Sequence, residues 1–148
     1  MVFAQMPGLH RLLYISRQAL MADGLDVELG RIVHEAMHTN RHAAVTGLLL
    51  CHNGWFVQVL EGPGQAVLDT FDRISGDSRH KSVRRIAYGK VPGRMFAEWD
   101  MCAHRLGDGD EAILADIGAR FDPSMFTPGQ LLALLNDVAD RQRAALAA

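Results

Sequence analysis

The spacing of apolar positions changes several times along the chain, and each change predicts an element. "HRLLYIS" (10–16) is a short apolar and aromatic run that reads as a first strand. Leu25, Leu29, Ile32, Val33, Ala36 and Met37 then fall at helical spacing, so residues 25–40 read as an amphipathic helix with these side chains inward. Asp23 with Asp26 is the expected N-terminal cap. One further step along the apolar face lands on Asn40, so an amide ends the buried side of this helix.

"VTGLLLCH" and "WFVQVLEG" flank Asn53-Gly54, a strong signal for a two-residue hairpin turn. Such a turn pairs Cys51 with Phe56, Leu49 with Gln58 and Gly47 with Leu60. One hairpin face then carries Gly47, Leu49, Cys51, Phe56, Gln58 and Leu60, and the other Leu48, Leu50, Val57 and Val59. Both faces are apolar, so both call for cover. Gln58 is the exception in this run, because a buried amide needs hydrogen-bond partners.

After "GPG" (62–64), "QAVLDTFDRISGD" reads as a second helix with Val67, Leu68, Phe71 and Ile74 inward. "SVRRIAYGKV" (82–91) reads as a strand, "PGR" as a turn, and "FAEWDMCAH" (96–104) as a last strand. Alternation along that strand places Trp99, Met101 and Ala103 on one face. "AILADIGARF" and "PGQLLALLNDVADRQRAALAA" are helical, and Thr127, Pro128 and Gln130 form a capping-box start for the second of them. The order β-α-β-β-α-β-β predicts an α+β, ferredoxin-like sheet with two helices on one face. The C-terminal helices are the expected cover for the other face. Residues 1–108 are expected to form the main domain, and 109–148 a helical extension.

Composition narrows the function. The chain has 148 residues, 49% of them hydrophobic, a net charge of −2 and a pI near 6.4. That balance gives no electrostatic case for nucleic acid. No stretch approaches the roughly 20 apolar residues that span a bilayer, and "MVFAQMPGLHR" lacks the features of a signal peptide, so a cytoplasmic location is expected. Cys51 and Cys102 sit in apolar strand patterns and read as packing residues rather than metal ligands.

"HEAMH" (34–38) matches the H-E-x-x-H zinc-hydrolase pattern. The longer pattern fails, since Arg41 and Ala44 stand where a glycine and a third histidine would be. The helical spacing also puts Val33 and Met37, rather than the histidines, at the centre of the buried face. No phosphate loop, dinucleotide fingerprint or nucleophile elbow occurs. What remains is a set of polar or oxidisable groups on apolar elements: Tyr14, Asn40, Gln58, Trp99 and Met101. Two amides and a phenol directed into one core suggest a shared polar ligand.

"NRHAAVTGLLLCHNGWFVQVLEGP", "DSRH" and "RMFAEWDM" together resemble the BLUF family of blue-light sensors, from about Leu9 to about Leu106. The resemblance implies a flavin held non-covalently between the two helices and the sheet, FAD by preference with FMN or riboflavin tolerated. It implies that Tyr14 donates an electron and a proton to the excited flavin, and that Gln58 bridges the two. Asn40 would bond the ring carbonyl edge. Asp77, Arg79 and His80 would lie beside the cofactor, and Ile32, Leu49 and Phe56 would be its apolar walls. Trp99 and Met101 would relay the signal. Thr39 departs from the His or Asn that many members carry next to this asparagine. The implied role is a photosensor without turnover that acts through a downstream protein, and the apolar sheet faces and short amphipathic helices suggest a homodimer or higher homo-oligomer. A flavin-binding interaction module without light output, or a zinc hydrolase at "HEAMH", are the alternatives.

Overall fold

In the computed structural model, residues 8–19, 25–118 and 120–147 are described. Strand β1 is Leu9–Gln18, helix α1 Leu25–Ala43, β2 Thr46–His52, β3 Trp55–Pro63, α2 Gly64–Ser75, β4 His80–Lys90 and β5 Cys102–Arg105. Helix α3 (Glu111–Ile117), a 3-10 turn (Pro123–Met125) and α4 (Pro128–Ala147) follow. The expected cap at Asp23 lies outside the described residues.

The sheet order is β4-β1-β3-β2-β5. The first four strands are antiparallel, and β5 joins β2 in parallel. This is the ferredoxin-like α+β arrangement with one added edge strand. The hairpin turns at Asn53 and Gly54 with φ of 53° and 81°, a pairing that suits Asn and Gly because both residues must adopt positive φ. The turn fixes the register: Cys51 pairs with Phe56, Leu49 with Gln58 and Gly47 with Leu60.

The central strands β1, β3 and β2 are buried on both sides. Leu48, Leu50, Val57 and Val59 pack with Leu131, Leu134, Leu135 and Val138 of α4. Leu12, Tyr14, Leu49, Phe56 and Leu60 pack on the opposite side with Leu29 and Ile32 of α1 and Val67 of α2. Helix α4 begins as expected. The Thr127 amide donates to Gln130 Oε1 at 2.8 Å, and the Gln130 amide donates to Thr127 Oγ1 at 3.1 Å. Each side chain thus satisfies an N–H group that the helix leaves open. No helix among the described residues is long and apolar enough to cross a membrane.

Two expectations are corrected. The last strand starts at Cys102, not Phe96, and residues 96–101 form turns and irregular backbone. Alternation therefore does not reach Trp99. Trp99 packs against the α4-side core, whereas Met101 and Ala103 belong to the α1/α2-side core. In α1 the buried line runs through Leu29, Ile32 and Asn40, while Met37 is exposed. The expected helix face was set slightly too far round, because a single apolar residue at its edge counted as inward.

Candidate functional site

Tyr14 and Gln58 come together through strand register. They are direct partners in the β1–β3 ladder, and Leu49 flanks Gln58 from β2. Gln58 thus sits on the central strand with only 3% of its surface exposed, and Tyr14 is fully buried. The Tyr14 hydroxyl donates to Gln58 Oε1. On its other side, Gln58 Nε2 donates to Met101 Sδ at 3.1 Å. A thioether is a weak acceptor, so a buried amide with that partner retains donor capacity for a stronger one.

A cavity of about 390 Å³ opens beside this amide. Ile32, Ala36 and Asn40 line it from α1, Gln58 and Leu60 from β3, and Thr70 and Ile74 from α2. Asp77, Arg79 and His80 contribute from the α2–β4 connection and the start of β4, and Met101 from the segment before β5. Asn40 is 1% exposed, and its Nδ2 donates to the Asp100 carbonyl at 2.8 Å. That bond uses one of the amide's two N–H groups.

The charged groups organise one side of the cavity. Arg79 meets Asp77 at 2.6 Å and Glu35 of α1 at 2.8 Å. Hydrogen bonds from Arg79 hold the Asp77 carboxyl below the usual carboxylate range. Burial pushes the Tyr14 phenol well above its usual value, and the nearby Asp77 charge adds to the effect. Tyr14 is therefore a protonated donor at neutral pH. Burial lowers His80 to about 4, so its imidazole is neutral there.

His80 is fixed from several sides. Its Nδ1 lies 2.9 Å from Ser16 Oγ, and its ring packs 4.8 Å from Phe56 and 6.1 Å from Tyr14. The β1–β4 register slips on each side of Tyr14, between Leu13 and Tyr14 and again between Ile15 and Arg17. Ser16 was not anticipated as a site residue. It stands two positions after Tyr14, so strand alternation alone would have placed it on the same face. Thr70 and Glu35 were also missed, because helix periodicity marks apolar positions and passes over polar ones that share the face.

Of the expected cofactor contacts, Ile32, Asn40, Gln58, Asp77, Arg79 and His80 all line the cavity, as do Met101 and Thr39. Leu49 and Phe56 are fully buried in the core beneath it and are not on its wall. Tyr14 lies buried behind Gln58, off the cavity wall, and Trp99, expected as a relay residue, lies on the far side of the sheet. His34 and His38 of "HEAMH" are exposed on α1, and Glu35 between them pairs with Arg79. Among the described residues, no three His, Cys, Asp or Glu side chains are grouped as metal ligands.

Comparison with known proteins places this cavity in context. The sequence model of the BLUF family, described as sensors of blue-light using FAD, matches residues 9–102. The photoactivated adenylate cyclase subunit beta of Euglena gracilis is 37% identical over 91 residues, which is 61% of this chain and 10% of that protein. The chain therefore spans about a tenth of such curated relatives. The dark-state structure of the BLUF protein BlrB superposes with a TM-score of 0.76 at 28% identity, covering 93% of this chain and 98% of that one. The ground state of BlsA gives 0.77 at 25% identity, covering 87% and 86%.

Proposed function

The chain belongs to the BLUF family of blue-light sensors that use a flavin, and we propose that it detects blue light through Tyr14 and Gln58. The hydrogen bond from the fully buried Tyr14 to Gln58, which lines a cavity flanked by two helices, carries this reading.

The residues present suit a flavin. Ile32, Leu60 and Ile74 offer apolar contact for a flat ring system, while Gln58 and Asn40 offer amides for its polar edge. The weak thioether partner of Gln58 Nε2 leaves that donor available to a better acceptor. Arg79, with Asp77 and His80, would meet the ribityl and phosphate end. FAD is the preferred form, in line with the family description.

When bound, the flavin supplies a ring that absorbs blue light and becomes a strong oxidant with a basic ring nitrogen. Tyr14 supplies the electron, being an oxidisable phenol. Its proton leaves along the hydrogen bond to Gln58 Oε1. Gln58 passes a proton on because an amide donates from nitrogen and accepts at oxygen. Once the electron and proton return to Tyr14, the Gln58 amide would be left rearranged and able to give a flavin carbonyl a stronger hydrogen bond, which would shift the absorption to the red. Gln58 then no longer meets Met101 as before. Met101 adjoins β5, and His104 of β5 meets Asp110 at the start of α3 and Gln142 of α4, so the C-terminal region from residue 109 would carry the change to a partner protein or a second copy of this chain.

One pair of absorption spectra tests the proposal. The purified protein is expected to be yellow, with a flavin spectrum that shifts reversibly to the red under blue light. A yellow protein with no shift would instead favour a flavin-binding module without light output.

A further inference from the structure

Glu61, near the end of β3, is a fully buried carboxylate that does not line the cavity. Its Oε2 accepts from Arg11 Nε at 2.8 Å, and its Oε1 accepts from the Phe96 amide at 2.8 Å. The Met95 amide lies 3.0 Å from both oxygens. Arg94 reinforces the same place. It donates to Thr46 Oγ1 at 2.7 Å, to the Glu61 carbonyl at 3.0 Å and to the Ala44 carbonyl at 2.7 Å. Residues 94–96 are thus tied to the open end of the β2–β3 hairpin by charge-assisted bonds, the stronger kind.

The other end of this segment is held differently. The Trp99 carbonyl accepts from the Gly47 amide at 3.2 Å, and the Asp100 carbonyl from Asn40. The Met101 sulfur accepts from Gln58. Except for the exposed pair between Arg41 and the Asp100 carboxylate, these bonds join neutral groups, and two of them come from amides that line the cavity. Arg143 of α4 donates to the Met95 carbonyl within the anchored end and pairs with Glu98, between the two ends, at 2.5 Å. A single segment therefore has a charged anchor at one end, neutral contacts with the cavity at the other, and α4 attached to it.

We propose that Glu61 is a positioning residue for the Gln58–Met101 contact: it fixes residues 94–96 as the point about which residues 99–101 move when Gln58 changes. This inference rests on the light-sensing reading of the same site. The Glu61 carboxylate suits the task because it accepts from three N–H groups at once. A glutamine there keeps one acceptor oxygen but turns its own N–H groups toward the Met95 amide and the donor of either Arg11 or Phe96. Arg94 holds the backbone on the other side of the anchor.

The test uses the full chain with bound flavin, as Glu61→Gln and, separately, Arg94→Ala. Both variants are expected to keep the red shift, because neither residue touches the cavity. Dark recovery is expected to change by about three-fold or more, the scale of losing one net hydrogen bond. Within residues 94–101, light-minus-dark hydrogen exchange is expected at 99–101 in the parent and is expected to spread to 94–96 in the variants. Arg94→Lys, which keeps the charge and one reachable acceptor, is expected to restore part of the parent recovery rate. Parent-like recovery and exchange in both Glu61→Gln and Arg94→Ala would overturn the proposal. If Glu61→Gln does not fold, Arg94→Ala decides it alone. If the parent itself shows no red shift, the light-sensing reading fails. The anchor is then judged by dark exchange of residues 94–101, which unchanged rates in the variants would refute.

Discussion

Gln58 and Met101 meet at 3.1 Å, amide nitrogen to sulfur, although they come from the central strand and from the turn before the edge strand. The contact links the residue that faces Tyr14 to the segment that leads into β5. Trp99, two residues earlier, packs on the opposite side of the sheet. The chain therefore passes from the α4 side to the cavity side within residues 99–101.

Tyr14→Phe removes the donor to Gln58 Oε1 and the removable proton but keeps the ring. Gln58→Leu removes the bridge and keeps the bulk. Each variant is expected to bind flavin and lose the reversible red shift, as read by light-minus-dark absorption. A normal shift in either would refute the assignment.

Met101→Ala leaves Tyr14 and Gln58 paired while removing the sulfur that Gln58 touches. The red shift is expected to persist. Light-induced changes in hydrogen exchange across α3 and α4 are expected to weaken. Parent-like exchange in those helices would show that the signal does not pass through Met101.

His80 ties stability to pH. Its unfolded value is near 6.5 and its folded value about 4, so between these limits the unfolded chain binds more protons. Stability contributed by the neutral buried ring is therefore present above about pH 6.5, falls as pH drops toward 4, and levels off below. The full effect is of order 3 kcal/mol. Asp77 opposes the shift and Arg79 adds to it, both weaker than burial. Denaturant midpoints at pH 7 and pH 4.5 are expected to differ less in His80→Gln than in the parent. An equal difference would mean that His80 is not protonated on unfolding.

Gly47→Ala tests the closest approach in the hairpin. A Cβ there would lie 2.2 Å from the Val59 carbonyl oxygen and 3.4 Å from Met101 Cε. Backbone has little room to give, so a loss of about 3 kcal/mol is expected from chemical denaturation. An unchanged midpoint would contradict the packing described.

The sequence carried the sheet and the burial of Gln58 and Asn40, because local signals set both. Asn53-Gly54 fixed the hairpin register, and period-two alternation put Gln58 on the same face as Leu49 and Phe56. Tyr14 could be seen as a core phenol, but its pairing with Gln58 depends on long-range register between β1 and β3. The Trp99 face was misread because alternation was extended over residues that form no strand. What shapes those residues is Glu61 and Arg94, more than thirty positions from their partners in the chain. No local period encodes such bonds. Even so, a charge inside the apolar run before Gly62 was a visible anomaly. Leu49 and Phe56 were rightly read as buried, yet periodicity cannot say whether a buried side chain faces a cavity or lies beneath it.

Strand β5 is four residues long, lies at the sheet margin, and makes the one parallel pairing seen among the described residues. The antiparallel frame β4-β1-β3-β2 does not depend on it. An edge of that kind behaves like a detachable fitting: it can loosen without opening the frame that holds Tyr14 beside Gln58. On the light-sensing reading proposed above, changes at this margin would alter transmission while leaving Tyr14 and Gln58 paired between β1 and β3.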